Sequence, residues 1–491
     1  MNIGIVGGGI GGLTAALLLS HRGHRVTVHE RTSRLGGRLN VQEGDRYRID
    51  RGPTIVLLPG MIREAMAEGG MDPDAVEWLP CDPLYRIHYD DGTVLTKWRD
   101  PQQMASEIDR LFPGERAGFE RFMRDLQERY RLGKQAFLDR PFLRKREFLS
   151  GPNVKLLLQM KAYRSARSLA ATYFRDKRLQ DAYSLQTLYI GGGPNRSPSL
   201  YSLIPYAEHA FGIWMVKGGY FRLAERMEEE LRSRGVQLLT DSQVDQLVIE
   251  QDVCRGFEAN GTVYRYDSVI YNGDFPKIRG ILGNNKTKIS NRRFRPSSGC
   301  ILLYVGTDRR WPEATAHQFV LPDTFREGLH DLFAKGRIPE NPSFYAFQPT
   351  AVDDTAAPAG EGALYFLIPV PSAQANVEWK QEVSRVVEKV LDKAELHCFP
   401  GLRQSIRSFE VRTPVDEEQA GLYGGGSFGI APTLWQSGAF RPQIAPYPIS
   451  RLYAVGASVH PGGGIPIVMH GARLLVSHME KEMEAWSSMP I

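Results

Sequence analysis

Residues 2–30 read NIGIVGGGIGGLTAALLLSHRGHRVTVHE, and the reading of this stretch decides the fold. Asn2 to Val6 is a short apolar run of strand length, Gly7 to Gly12 a tight turn, and Leu13 to Arg22 a helix closed by Gly23 in the position that follows a helix C-terminus. Arg25 to Glu30 alternates as a second strand does, which completes a βαβ half-unit. Gly7, Gly9 and Gly12 fall in the spacing G-x-G-x-x-G, with Gly11 beside them. Gly7 permits the turn, Gly9 lets a pyrophosphate approach the backbone, and Gly12 allows the helix to pack closely on the strand, while the helix N-terminus attracts the anion. Glu30 closes the second strand, where a carboxylate accepts hydrogen bonds from ribose hydroxyls.

The run that follows, Arg31-Thr32-Ser33-Arg34-Leu35-Gly36-Gly37-Arg38, shifts the choice of dinucleotide from NAD toward FAD. A flavin dinucleotide is long and extended, so main-chain N–H groups at Gly36 and Gly37, with Arg31 and Arg38, serve its pyrophosphate and flavin end. This pair of motifs resembles the FAD-containing amine oxidase and desaturase superfamily. Further segments narrow the likeness: IDRGPT at 49–54, QTLYIGGGPNRSPSLY at 186–201, KGGY at 217–220 and GASVHPGGGIP at 456–466. Together they resemble the phytoene desaturase and diapophytoene desaturase-like carotenoid flavoenzymes over nearly the whole chain. The usual C-terminal phrase of that group is similar to GAGTHPGAGIPGV, and this chain departs from it at Ser458, Val459, Gly463 and Ile467.

The resemblance implies a cofactor site that adds Pro53, Thr54, Val244, Gly456, His460, Gly464, Ile465 and Pro466 to the N-terminal glycines. Val244 would pack beside the adenine. Pro466 suits the first turn of a helix whose positive end faces a reduced, anionic flavin. His460 is open to two readings, proton acceptor or packing against the flavin's ribityl chain. Glu208, His209, Phe211 and Trp214, in PYAEHAFGIW, are expected along a substrate channel or in a satisfied interdomain contact.

The implied fold is α/β: a Rossmann-type FAD-binding domain with a discontinuous α+β substrate domain, as in glutathione reductase and the amine oxidases. The FAD domain is expected from 1–100, 219–290 and 446–491, a mainly helical segment from 101–218, and the substrate domain from 291–445. Ile301 to Val305, Phe344 to Phe347 and Leu364 to Val370 have strand texture, Lys380 to Leu396 helical period, and Val244 to Ile249, Cys254 to Glu258 and Val263 to Tyr271 read as a meander.

With 61 basic against 56 acidic residues, the charge balance does not imply nucleic acid. Arg121 to Gln180 is locally basic, 16 Lys/Arg to 5 Asp/Glu, interleaved with Phe, Leu and Tyr. It reads either as a solvated helical face or as an amphipathic surface for anionic lipid. Cys81, Cys254, Cys300 and Cys398 are far apart and suggest neither a disulfide framework nor a metal site. No apolar run reaches the span of about 18 residues needed to cross a bilayer, so the expectation is a cytoplasmic protein resting on the inner face of the membrane.

The activity implied is desaturation of a carotenoid precursor by hydride transfer to FAD, the flavin being reoxidised by oxygen or a quinone. A carotenoid terminal oxidase or isomerase, a flavin amine oxidase and a prenyl-binding escort protein are the alternatives.

Overall fold

The computed structural model describes residues 1–43, 47–283 and 292–487. The opening strand, Asn2–Val6, is the centre of a five-stranded parallel sheet. Arg25–His29 and Ser268–Tyr271 flank it, and Gln237–Leu239 and Leu452–Ala454 form the edges. The helix Ile10–His21 is apolar all round because every side is covered: it packs on this sheet and against the helices Pro59–Glu68, Phe221–Ser233 and Ile465–Ser487.

A seven-stranded sheet runs in the order Ile406–Arg412, Gly299–Thr307, Gly362–Val370, Phe344–Phe347, His317–Leu321, Tyr85–Tyr89 and Val94–Lys97. All its pairings are antiparallel except His317–Leu321 with Tyr85–Tyr89. Strand alternation divides its faces. Leu364, Phe366 and Ile368 pack with Val386 and Val390 of the helix Trp379–His397, whereas Tyr365, Leu367 and Pro369 border a large cavity.

Two expectations need correction. The first FAD segment does not run to residue 100, because Tyr85–Tyr89 is hydrogen-bonded in register to His317–Leu321 and Val94–Lys97 extends the same sheet. The third strand of the meander is two strands. Thr262–Arg265 pairs antiparallel with Val253–Ala259, after which the chain changes sheet at Tyr266-Asp267 and Ser268–Tyr271 pairs parallel with Ile3–Val6. The Asp267 carboxylate accepts the Asn2 backbone N–H at 2.8 Å across this crossover. The boundary expected at 290–291 and the tail 488–491 lie outside the described residues.

All four cysteines are free and buried. Burial pushes the Cys254 thiol up to about 11 and those of Cys81 and Cys300 up to about 12, with Cys398 higher still.

Two of the short motifs meet at Asp50. Its carboxylate accepts the N–H of Tyr220 at 2.8 Å and of Phe221 at 3.3 Å, at the start of the helix Phe221–Ser233. A Cβ on Gly219 (φ +90°) would lie 2.9 Å from its Oδ1, so the glycine is needed for the approach. Burial raises Asp50 from 3.8 to about 6, outweighing the two backbone donors and Arg48. The folded chain then binds this proton more tightly than the unfolded one, so the contribution is complete below pH 3.8 and is lost as pH rises through about 6. Asp50→Asn, which cannot ionise, is expected to gain on the wild type by up to about 3 kcal/mol between pH 4 and pH 7. Denaturant midpoints at the two pH values check this, and a gap that ignores pH would refute the burial account.

Candidate active site

Between the two large sheets lies a continuous cavity of about 1600 Å³. One small ligand takes roughly 300–1000 Å³, so there is room for two. Part of its wall is the glycine turn. Gly7, Gly9, Gly11, Glu30, Arg31, Gly36, Gly37 and Arg38 border the cavity, and Gly12 lies one layer behind. A Cβ on Gly12 would sit 2.3 Å from the Gly7 carbonyl oxygen and 2.9 Å from Asn272 Nδ2; one on Gly37 would sit 2.9 Å from Gly9 Cα. The two glycine motifs therefore abut, with Gly36 N–H donating to Gly8 O at 2.9 Å. Glu30 is on the wall as well, but its oxygens already accept the N–H of Gly8 at 2.8 Å and of Thr32 at 3.0 Å, so it also shapes the turn.

Pro53, Thr54, Val244, Gly456, His460, Gly464, Ile465 and Pro466 border the same cavity. Two helix N-termini thus open onto it from opposite ends of the chain. The helix Ile10–His21 has Gly9 as N-cap with no side-chain cap, and Ile465–Ser487 follows Gly464, where φ is +97° and no atom lies within 4 Å of a built Cβ. The first N–H groups of a helix lack intrahelical partners and carry its positive dipole end. Two such ends bordered by glycines fit a dinucleotide flavin, one for a pyrophosphate and one for an anionic ring.

His460 is buried, its Nε2 donates to Arg140 O at 3.1 Å, and its ring meets Phe142 edge-on at 5.5 Å. Burial pulls it down to about 4, so the ring is neutral. The backbone bond and the ring contact tie the loop that carries it to the segment around Arg140.

Sequence reasoning missed the residues that fasten the loop at the other side. Asn272 Nδ2 donates to Gly7 O at 3.0 Å and Gly9 O at 3.2 Å. Asp274 accepts the Ser458 hydroxyl at 2.6 Å and the Tyr423 N–H at 2.8 Å. Buried Arg441 donates to the carbonyls of Ala457 and Val459. The signal for the first two was the Asn272-Gly273-Asp274 turn at the end of a parallel strand, where ligands of α/β sheets sit.

Much of the rest of the wall is aromatic or aliphatic, Tyr189, Leu203, Phe319, Tyr345, Tyr365 and Leu367 among it, with charged groups such as Lys134, Arg412 and Glu417 elsewhere along the lining. Glu208, His209, Phe211 and Trp214 do not border it. The helix Leu203–Phe211 turns its 203–204–207 face to the cavity and buries Glu208 and His209 behind it, Phe211 packs on Tyr130 at 5.3 Å, and Trp214 lies in a strand paired with Trp78–Cys81. Leu149, Val154, Leu158, Tyr163 and Leu434 border the cavity and are also exposed, Tyr163 by 66% and Leu158 by 59%, so its apolar lining continues onto the surface.

Comparison with known proteins accords with this geometry. The model of the family described as flavin containing amine oxidoreductase matches residues 10–474. The chain is 45% identical over 99% of both lengths to 4,4'-diapolycopen-4-al dehydrogenase of Metabacillus indicus. It is 34% identical to the zeta-carotene-forming phytoene desaturase of Myxococcus xanthus, over 97% of this chain and 93% of that one. An oxidoreductase structure from Methanosarcina mazei shares the fold with a TM-score of 0.67 at 17% identity, over 98% of this chain and 100% of that one.

Gly12→Val is expected to weaken cofactor affinity by about 100-fold, ~3 kcal/mol of overpacking at the turn. Titration of the stripped protein with FAD checks this, and unchanged affinity would show that the turn can open.

Proposed function

The chain belongs to the flavin containing amine oxidoreductase family, with FAD as its cofactor, and from that premise we propose that it desaturates a carotenoid precursor such as phytoene or diapophytoene. The observation that carries this reading is the single cavity in which a dinucleotide cradle continues into a long aromatic and aliphatic wall. The desaturases among its relatives support the same choice.

Bound FAD supplies the acceptor for a hydride and its electron pair. The protein's part is to bind the polyene and orient it. Tyr345 is held by His317 Nδ1 at 2.7 Å, so that part of the wall is fixed in place. His460, neutral and pinned at Nε2, adds no positive charge beside a carbon losing hydride. The electron acceptor that regenerates FAD is oxygen or a quinone.

A second reading is favoured by the relative at 45% identity, named as a dehydrogenase of an aldehyde: oxidation of the polyene's terminal group. The same cavity would serve, with the chain end rather than an internal C–H pair at the reacting position.

A substrate of either kind resides in lipid, and the cavity mouth suits entry from there. Among the described residues no helix is long and apolar enough to cross a membrane. Leu149, Leu158 and Tyr163, exposed at the edge of the cavity, lie in a stretch with exposed Arg144, Lys145, Arg146 and Lys155 and one exposed acid, Glu147, a mixture of apolar and mainly basic groups that suits anionic headgroups. Arg167, in the same basic stretch, is bound to Asp181 and Gln180 and takes no part.

Under anaerobic conditions, phytoene or diapophytoene in vesicles is expected to bleach the flavin absorption within one turnover and to yield a product lighter by two hydrogens with longer-wavelength absorption. Flavin bleached instead by a polyene aldehyde, whose hydrate gives up a hydride to leave the carboxylic acid with its added oxygen from water, selects the terminal oxidation, and a flavin unmoved by phytoene and diapophytoene refutes desaturation. The triple change Arg144→Glu, Arg146→Glu, Lys155→Glu is expected to weaken binding to anionic vesicles by more than about 100-fold, at ~1 kcal/mol per basic residue. Unchanged binding in a flotation assay would end the docking proposal.

A further inference from the structure

Behind the cavity wall lies a charged pair that the proposed reaction, as described so far, does not use. Lys97 and Glu208 are both fully buried, with Nζ 3.7 Å from Oε2. Glu208 Oε2 also accepts the Tyr85 hydroxyl at 2.8 Å and Gln186 Nε2 at 3.2 Å. Its other oxygen has no hydrogen bond. The Tyr189 hydroxyl lies close enough to the carboxyl for each to affect the other's ionisation, though it makes no well-formed hydrogen bond.

The pair has a direction. Lys97 lies over the Tyr183 ring at 3.7 Å, and neither residue borders the cavity. Glu208 is next in the chain to Ala207 and adjoins Tyr189, and both of these do border it. Tyr189 in turn stacks on Phe319, another wall residue, at 6.0 Å. The negative end of a buried dipole therefore backs an aromatic surface whose own ring faces attract cations. Keeping two charges in the interior is costly, and a matched apolar pair is often as stable, so a role beyond stability is called for.

We propose that Glu208, with Lys97 behind it, is a positioning residue that makes this aromatic wall attractive to delocalised positive charge on an isoprenoid chain. The inference rests on the proposed desaturation. There the C–H pair leaves as hydride to FAD, an allylic cation remains, and the adjacent carbon gives its proton to water as the C=C bond forms. A wall that stabilises the cation lowers the barrier to the first of these events without tightening the binding of the neutral substrate.

The test uses the holoenzyme and two ligands of one shape: N-methyldigeranylamine, protonated in mid-chain, and the hydrocarbon in which carbon replaces nitrogen. The wild type is expected to prefer the amine, and Glu208→Gln to lose about tenfold of that preference, the size of a charge acting through one ring layer at an effective dielectric near 20. Glu208→Gln leaves Lys97 unpaired and is expected to lower the melting temperature, so Glu208→Gln/Lys97→Met is measured beside it. Recovered melting temperature with the amine preference still lost, and slow single-turnover flavin reduction at unchanged hydrocarbon affinity, upholds the proposal. Preference and rate that return with stability in the double variant, or an equal preference in wild type and Glu208→Gln, overturn it. If the wild type prefers the amine while its flavin ignores the polyene, the desaturase reading fails and the electrostatic one stands.

Discussion

The contact on which the rest depends is the packing of the helix Ile10–His21 against the helix Ile465–Ser487. Residues from the two ends of the chain are brought side by side on one sheet, and both helices begin at the same cavity. Had either helix slid by a turn, one of the two positive ends would point into protein. Small residues permit the fit: a side chain at Gly11 would lie 3.0 Å from Val468 Cγ1 and 2.6 Å from Asn272 Oδ1. The parallel sheet, the cofactor cradle and the cavity floor all take their positions from this pair.

The glycine turns expected to hold the cofactor were legible as turns because their constraints are backbone constraints. A glycine that must let a carbonyl pass at van der Waals distance, as Gly12 does, leaves a mark at one position and no other. The same holds for Gly464, whose positive φ starts a helix facing the cavity. Local spacing was enough to find these positions, and the C-terminal return to the first sheet followed from a strand, a glycine turn and a helix read in order.

The other half was not legible in the same way. The cavity floor is built from alternate residues of strands far apart in the chain, and alternation tells which residues share a face without telling which face meets the cavity. Strands 85–89 and 94–97 look no different from strands of the first domain; only the pairing of 85–89 with His317–Leu321, and of 94–97 with 85–89, assigns them to the second sheet. Glu208 shows the limit most clearly. It was expected along a substrate channel or in an interdomain contact, yet one residue of helical phase separates a wall residue, Ala207, from this buried group behind the wall.

The depth at which the four cysteines lie bears on the chemistry of reoxidation. Thiols react with peroxide as thiolates, and burial holds all four of these groups protonated at any pH at which the protein would work. A flavin that hands its electrons to oxygen releases an oxidant within a few ångströms of its own protein. None of the four cysteines offers that oxidant a thiolate, so the sulfur left for it to attack is the thioether of methionine.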